Sequence, residues 1–463
     1  MADTNSVTHS LTHPVIHTTA NTGHKRSFLL TVSFAFFTTL AAPMLSYGWD
    51  YRLSFNAGIE YDDNANAAPK NLEQDELETS IGANFGLAHS SKALALDMNY
   101  SGAYSDYKND VLQTANQITG ATDILWTIID EALTWNFNHN ITEALANSSA
   151  ADTRDNQETR NIFSTGPEFN ARLTKVDDLI LSVEYIVLRQ DDAENETPAQ
   201  QTNIDSERTS ASAVWAHALS NVSAFSIGYS AAETRFDNDS DDAEFQRLFA
   251  GYNVRLAIGQ YDIRLGANRS ERGSGNDSFE GPYADISFER DFGEHTLGIN
   301  VTHELTDSSI GIDNSLERLS DSNFDEVSIV ERSSLAIDYG YRSFCRGCML
   351  EISYLFDRED FKQERLLTQS TDNNQNRLTA SLSYRVNSTL STTARASFGQ
   401  TNFIGSDRED KDTQFGVNVI WRAQDRLSLI FSSNYREREV DPSNLNGDYD
   451  GITTGVRATY TVN

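Results

Sequence analysis

Residues 49–61 read WDYRLSFNAGIEY, a stretch in which apolar and polar side chains alternate without a break. In an extended strand, successive side chains point to opposite faces of the sheet. One face of this segment therefore carries the aromatic and aliphatic residues from Trp49 to Tyr61, and the other carries Asp50, Arg52 and their polar neighbours. The pattern predicts a β-strand whose two faces meet different surroundings.

The same alternation recurs along the rest of the chain. We count twenty such segments after residue 48, most of them 9 to 13 residues long, which is the length that a tilted strand needs to cross a bilayer. Clear examples are 94–100, 179–185, 350–356 and 415–421. The sequence therefore predicts an all-β chain of about 20 strands, within a range of 18–20.

The connections between these predicted strands are alternately short and long. Short ones lie at 129–132 and 387–388, whereas long ones lie at 62–77 and 305–328. Tight turns on one rim and long loops on the other are typical of outer-membrane barrels, and a sheet that faces lipid must close because its edges cannot be hydrated there. We therefore predict a transmembrane antiparallel up-and-down β-barrel over residues 49–463, in the cell outer membrane of a Gram-negative bacterium.

Soluble β-folds that also alternate are the alternatives to a barrel. A β-sandwich packs apolar inner faces together, whereas the second face here is rich in polar residues such as Asn136, Asn138 and Asn140. A β-solenoid needs a repeat of fixed period, and the sequence shows none. Both alternatives are therefore weaker than the barrel.

The composition excludes two other classes of protein. The chain has 36 basic and 68 acidic residues, so its net charge of −32 is the opposite of the basic footprint that nucleic acid requires. No uncharged apolar run of 18 residues follows residue 48, which excludes a bundle of transmembrane helices. Nucleic acid is therefore not a predicted partner.

Residues 1–48 have the composition of an export signal with a long polar start. Lys25 and Arg26 precede an apolar stretch, Phe28–Leu40, and small residues follow it. This order of charged, apolar and small residues is that of a secretory signal peptide. We predict cleavage after residue 48.

All five tryptophans share the apolar parity of their segments and lie close to a predicted short turn. They are Trp49, Trp126, Trp135, Trp215 and Trp421. Tryptophan favours the membrane–water interface because its ring is apolar and its N–H is polar. We therefore predict an aromatic girdle at the rim that carries the short turns.

Three features of the sequence carry a family resemblance. The first strand closes on Tyr61–Asn64 (YDDN), a later strand opens with Ser164–Pro167 (STGP), and units of strand, short turn and strand repeat. In these features the chain resembles the outer-membrane β-barrel porins found beside exopolysaccharide export and PEP-CTERM sorting systems in Gram-negative bacteria. The resemblance implies an outer-membrane barrel, a part in exopolysaccharide secretion, and polysaccharide-export proteins of the periplasm as partners.

If the apolar parity faces lipid, the other parity gives the side chains of the lumen. Predicted strands 16 to 20 then contribute a basic wall with no carboxylate between its members: Arg377, Arg385, Arg395, Arg422, Arg436 and Arg457. Predicted strands 12 to 15 contribute an acidic wall against one cation, Arg342: Asp285, Glu289, Glu304, Asp338, Glu351 and Asp357.

These two walls have two interpretations. In a wet pore, opposed charges order water and favour charged solutes, and clustered guanidiniums can bind the carboxylates of an acidic polysaccharide. The alternative is that the same charges form ion pairs between strands and stiffen the wall.

Two long loops are rich in carboxylates. Residues 233–244 hold six of them against Arg235, and residues 305–328 hold six against Arg318. Such loops either bind divalent cations shared with lipopolysaccharide or stay solvated. Outer-membrane lipid and lipopolysaccharide are the predicted partners of the outer surface.

One loop matches part of a calcium-binding loop. Asp62, Asn64, Asn66 and Glu73 occupy its positions 1, 3, 5 and 12, but Ala67 stands where the sharp turn requires Gly. The match is weak, and no metal site and no cofactor is predicted.

Cys345 and Cys348 are the two cysteines of the chain. They lie at a predicted periplasmic turn, in an oxidising compartment, so we predict a disulfide between them. A redox motif would need a helix N-terminus to activate a thiol, and no helix is predicted there.

The sequence shows no GxSxG, HExxH or P-loop motif, so we predict that the protein is not an enzyme. The predicted function is an outer-membrane porin or conduit that passes small charged solutes or helps to export exopolysaccharide. The alternative is a structural or adhesive barrel with acidic surface loops and no open pore.

Overall fold

The structure is a computed structural model that describes residues 48–112, 114–145, 153, 157–191, 205–237, 242–273, 277–307, 329–343, 345–362, 372–442 and 447–462. It contains twenty β-strands: β1 (Trp49–Asp62), β2 (Glu76–Ser90), β3 (Leu94–Tyr107), β4 (Ala115–Ile129), β5 (Leu133–Leu145), β6 (Gln157–Arg172), β7 (Asp177–Asp191), β8 (Ser206–Ala218), β9 (Ser223–Phe236), β10 (Ala243–Leu256), β11 (Gly259–Arg272), β12 (Asp277–Asp291), β13 (His295–Asp307), β14 (Ile329–Tyr341), β15 (Cys348–Phe361), β16 (Asn373–Arg385), β17 (Leu390–Phe403), β18 (Glu409–Gln424), β19 (Leu427–Asp441) and β20 (Tyr449–Thr461). Among the described residues, no helix is long and apolar enough to cross a membrane.

The twenty strands form one closed antiparallel sheet. Each strand pairs with its neighbours in the chain, and β1 pairs with β20 along nine residue pairs, from Ser54 opposite Thr461 to Asp62 opposite Thr453. Because the first and last strands pair, the sheet closes on itself, and the predicted up-and-down β-barrel is confirmed.

The two rims of the barrel differ in the length of their connections. At one rim, here called the short-turn rim, successive strands are joined by two to six residues, such as 257–258 and 342–347. At the other, the long-loop rim, the connections have 4 to 21 residues, such as 273–276 and 308–328. In membrane barrels the short turns face the periplasm and the long loops face outward.

The outer face of the barrel is apolar and uncovered. Ile59, Ile81 and Leu248 point outward from β1, β2 and β10 and are 57, 60 and 58 % exposed. A wall of exposed aliphatic and aromatic side chains of this extent is stable when hydrocarbon covers it.

The apolar band has the height of a membrane. In β15 the last outward apolar residue is Phe356, the ninth residue from the short-turn rim, and Arg358 is the next outward residue. A strand tilted by about 40° climbs roughly 2.5 Å per residue, so nine residues span about 23 Å. This agrees with the band of about 25 Å that membrane barrels present to lipid.

Polar side chains inside the apolar band bond to one another. The Tyr100 hydroxyl lies 2.5 Å from Nδ1 of His139 and 2.9 Å from the Thr122 hydroxyl. Nε2 of His139 lies 2.9 Å from Oδ1 of Asn161. Mutual hydrogen bonds offset much of the cost of placing these groups on an outer face.

The strands are longer than the alternation predicts, with 13 to 16 residues each against a predicted 9 to 13 for most. The excess lies at the long-loop rim, where the wall continues above the apolar band. Outward residues there face water, so apolar alternation no longer marks the strand. Glu233 and Arg235, predicted to lie in a loop, belong to β9 and are bonded at 2.9 Å.

Several sequence predictions fall outside the described residues. These are residues 1–47 of the predicted signal peptide and, within the two predicted acidic loops, residues 238–241 and 308–328.

Candidate functional site

The barrel lumen is the candidate site, and strand parity decides which side chains enter it. Leu378 of β16 and Phe398 of β17 are exposed on the outer face, so Arg377 and Arg395 face inward. The same parity places all twelve charged residues of the two predicted walls on the inner face.

The lumen has two halves, which we call the long-loop half and the short-turn half after the nearer rim. In the long-loop half, charged side chains are mostly buried and paired. In the short-turn half, they are mostly exposed. The predicted acidic and basic walls extend through both halves. Each wall therefore has some members in ion pairs and others that are exposed.

A cluster of ion pairs crosses the long-loop half between strands that are not neighbours. Nη2 of Arg208 on β8 donates to Asp307 on β13, and both side chains are almost fully buried. Nη2 of Arg247 on β10 donates to Oε2 of Glu304 on β13 at 2.5 Å. Glu304, predicted as part of an acidic wall, is therefore held by an arginine from another part of the barrel.

A second buried pair joins β14 and β15. Nε of Arg332 donates to both carboxylate oxygens of Asp357, at 3.0 and 2.9 Å. Arg342 was predicted to be the one cation on the inner face of strands 12 to 15. That prediction was wrong, because Arg332 of β14 has the same parity as Asp338 and therefore also faces inward. Arg342, the predicted cation, lies in the turn after β14 instead.

A third buried group lies on β18 and β19. Asp410 accepts hydrogen bonds from Arg438 at 2.6 Å and from Arg408 at 2.7 Å. The prediction that no carboxylate lies between the six arginines was therefore wrong. Asp410 was missed because it belongs to the part of β18 above the apolar band, where no outward apolar residue marks the strand.

Arg436 of the predicted basic wall is also paired. Its Nη2 donates to Oδ2 of Asp62 and to the Asn64 carbonyl, both at 2.8 Å. The Asn64 amide donates to the carbonyls of Ala68 and Asp450, at 2.8 and 2.7 Å. The residues that resemble a calcium loop thus close this loop by hydrogen bonds and anchor it to the wall.

The other basic-wall residues of the short-turn half are exposed. They are Arg385, Arg395, Arg422 and Arg457, on β16, β17, β18 and β20. Within the part of the chain that the structure describes, none of these four forms an ion pair. Arg377, higher on β16, is half-buried. The four exposed guanidiniums face the space enclosed by the barrel.

Three predicted carboxylates share the short-turn half with them. Glu289, Asp338 and Glu351 are exposed at inward positions of β12, β14 and β15. Glu289 accepts a hydrogen bond from the Gln260 amide at 2.9 Å, and Asp338 accepts one from Ser353 Oγ at 2.6 Å. Asp285, nearer mid-height, accepts from Arg264 at 3.3 Å.

Further carboxylates of this half were not among the predicted site residues. Asp97, Asp123 and Glu168 face inward from β3, β4 and β6 and are exposed. Applying the same parity rule to the first eleven strands would have found them. Because β6 lies ten strands from β16 in a barrel of twenty, Glu168 stands on the wall opposite the strand of Arg385.

The five tryptophans and the two cysteines lie at the short-turn rim. Each tryptophan is within three residues of the short-turn end of its strand, and the Trp135 indole donates to Oγ1 of Thr165 at 2.8 Å. Their role as an interfacial girdle stays a prediction. Cys345, in the connection between β14 and β15, forms a disulfide with Cys348, the first residue of β15, with Cα atoms 5.0 Å apart.

No protein-family model and no curated protein sequence matches the chain. Among solved structures, the siderophore receptor PirA of Pseudomonas aeruginosa is 11% identical, with 89% of this chain and 80% of that chain covered and a TM-score of 0.45. The outer membrane protein opdK of Pseudomonas aeruginosa is 11% identical, with 89% and 99% covered and a TM-score of 0.39.

The FrpB iron transporter of Neisseria meningitidis is 9% identical, with 90% of this chain and 83% of that chain covered and a TM-score of 0.47. These values describe a likeness in architecture alone. The closed sheet of this chain and its exposed apolar band are themselves sufficient to identify a transmembrane β-barrel, the class of membrane protein that outer membranes contain.

Proposed function

We propose that this protein is an outer-membrane conduit for small charged solutes, and that the short-turn half of its lumen selects them. The observation that supports the proposal is the state of Arg385, Arg395, Arg422 and Arg457, which face inward and are exposed. Guanidiniums kept for stiffening a wall are found in buried pairs, as Arg332 is in this barrel. Exposed ones remain available to a solute.

The arrangement of charge around this half supports selection by sign. The four arginines occupy one sector, β16–β20, and the exposed carboxylates named above lie on other strands, among which Arg52 of β1 and Arg255 of β10 are also exposed at inward positions. An uneven distribution of charge of this kind produces a field across the lumen. Anionic groups of a solute follow the basic sector, where a guanidinium can bind a carboxylate through two hydrogen bonds.

Passage of an acidic exopolysaccharide is the narrower form of the proposal. It rests on the same arginines and on the family resemblance of the sequence. An extended chain of uronic acids would present carboxylates at intervals to the basic sector. A soluble polyuronate added to one side of a bilayer should then block the ionic current reversibly, and a neutral glucan of the same length should not.

Conductance and ion selectivity in planar lipid bilayers test the main proposal. The variant Arg395→Gln, Arg422→Gln, Arg457→Gln removes three lumen cations. We expect the anion-to-cation permeability ratio, read from the reversal potential under a KCl gradient, to fall several-fold because the basic sector is lost.

The matched control removes three outward arginines, Arg235→Gln, Arg269→Gln and Arg358→Gln, and changes the net charge equally. Its selectivity should stay that of the natural protein. Selectivity that is unchanged in the lumen variant would overturn the role of the basic sector. A correctly assembled barrel without ionic conductance would favour the structural or adhesive alternative.

A further inference from the structure

The pairing between β12 and β13 stops before either strand ends. It runs from Asp291 opposite Thr296 to Ala284 opposite His303 and goes no further. Beyond this point β12 continues to Asp277 as a partner of β11, and β13 continues to Asp307 as a partner of β14. The wall therefore has an open seam between β12 and β13 in the long-loop half.

The end of β13, residues 304–307, lies inside the barrel and not beside β12. Glu304 is bonded to Arg247 of β10, and Asp307 is bonded to Arg208 of β8. Oδ2 of Asp307 also lies 3.3 Å from Oγ1 of Thr234 on β9. Partners on three strands beyond β12 can be reached only across the inner face of the wall.

The inner face is shaped to receive this strand end. Gly281 of β12 has no side chain, and a Cβ built on it would lie 3.8 Å from Cγ and Cδ1 of Leu305. With its amide oriented to match its neighbours, Asn268 of β11 accepts from the Leu305 N–H at 2.6 Å and donates to the Gly281 carbonyl at 3.0 Å. One side chain thus bridges β12 and the strand end that left it.

Buried ion pairs hold the strand end in place: the carboxylates belong to β13, and the guanidiniums belong to β8 and β10. Arg247 lies over the Tyr283 ring, with Cζ 4.0 Å from the ring centroid, and Arg208 lies 5.4 Å from that of Phe245. These rings fix the guanidiniums on the wall. Removing either carboxylate leaves a buried cation without its anion, which is strongly unfavourable.

We propose that residues 304–307 of β13 form a latch that narrows the long-loop mouth of the conduit and sets the largest solute that passes. The latch is closed while Arg208 holds Asp307 and Arg247 holds Glu304. It opens when β13 returns to β12, whose backbone at 277–283 offers a strand partner once the ion pairs are lost. The proposal rests on the proposed function, because a latch of this kind acts on a conduit.

The first test breaks both ion pairs with the near-isosteric variant Glu304→Gln, Asp307→Asn. We expect its single-channel conductance to rise roughly twofold, because the open cross-section at the mouth increases. Larger polyethylene glycols should also enter the pore and reduce its conductance. The control, Glu158→Gln with Asp410→Asn, removes two buried lumen carboxylates whose arginine partners, Arg160 and Arg438, lie away from β13, and its conductance should not change.

The second test fixes the latch in place. The variant Gly281→Cys, Leu305→Cys places two thiols at the contact between β12 and the strand end. In the otherwise natural protein, oxidation should link the two thiols, and mass spectrometry of peptides detects the crosslink. The conductance should not change. In the background of Glu304→Gln, Asp307→Asn, the crosslink should restore the smaller conductance, and reduction should release it. The natural disulfide is controlled by treating the natural protein with the same reductant.

The outcomes separate the latch from the conduit. In one outcome, the natural protein conducts, and Glu304→Gln, Asp307→Asn shows the same conductance and the same exclusion of polymers. This outcome overturns the latch and leaves the conduit in place. Failure of the thiols to link overturns the inward position of the strand end even if the charge variant does not assemble. A natural protein that does not conduct while the charge variant does supports the latch and overturns a constitutively open conduit. Absence of conductance in every variant overturns both proposals.

Discussion

Arg208 and Arg395 both face the lumen, yet their surroundings differ. Arg208, in the long-loop half, is 1 % exposed and bonded to Asp307, whereas Arg395, in the short-turn half, is exposed. A guanidinium enters a closed protein environment only when a carboxylate enters with it, because the desolvation of a lone charge is too costly. The long-loop half therefore uses charge to fix strands, and the short-turn half keeps charge available to solutes.

The largest expected effect that tests this comparison is on stability. Arg208→Gln should lower the free energy of unfolding by about 3–5 kcal/mol, because it leaves Asp307 buried without its cation. Arg395→Gln should change it by no more than about 0.5 kcal/mol, as for an exposed side chain. Urea unfolding in lipid vesicles, followed by far-ultraviolet circular dichroism, measures both. Equal losses in the two variants would show that the halves do not differ in this way.

A smaller effect is expected on selectivity when the exposed carboxylates are neutralised. Glu289→Gln, Asp338→Asn, Glu351→Gln should raise the anion-to-cation permeability ratio several-fold, opposite in sign to the loss of the three arginines. The outward set Glu271→Gln, Glu280→Gln, Asp360→Asn removes the same charge as a control. A shift of equal size in the control would place the selective charges outside the lumen.

The smallest expected effect is a difference between the two halves of the lumen in how strongly salt weakens their electrostatic interactions. Raising KCl from about 0.1 to 1 M shortens the Debye length from about 10 to 3 Å. Selectivity from the exposed arginines should weaken toward that of bulk KCl, while the urea midpoint should hardly move because buried pairs such as Arg332 and Asp357 are screened much less. The comparison fails if salt lowers the urea midpoint as steeply as it lowers selectivity.

Strand parity was the most informative signal in the sequence. Alternation around Leu378 and Phe398 placed Arg377 and Arg395 on the inner face, and the structure has them there. The signal weakened above the apolar band, where Asp410 and Glu233 lie in strands whose outward residues are polar. Period-two alternation identifies a strand only where its two faces meet solvents of different polarity.

Pairing of charges could not be predicted in the same way. Arg332 stands opposite Glu359 in the register of β14 and β15, yet it bonds diagonally to Asp357. Glu304 was predicted on an acidic wall, but its partner Arg247 is 57 residues away in the chain. Strand parity therefore predicts that a charged side chain faces the lumen, but the curvature of the barrel wall decides which other charge it contacts.

The class of fold follows from the amino-acid sequence alone, since twenty alternating segments with one apolar face form a sheet that must close, because such a sheet cannot have edges in hydrocarbon. Which side chains face the lumen also follows from the sequence. The departure of β13 from β12, and the contact of Arg208 with Asp307, 99 residues away, depend on the folded barrel and could not be predicted from the chain. Contacts between strands that are not neighbours depend on how the whole barrel wall curves in three dimensions. A local pattern of residues does not predict that curvature.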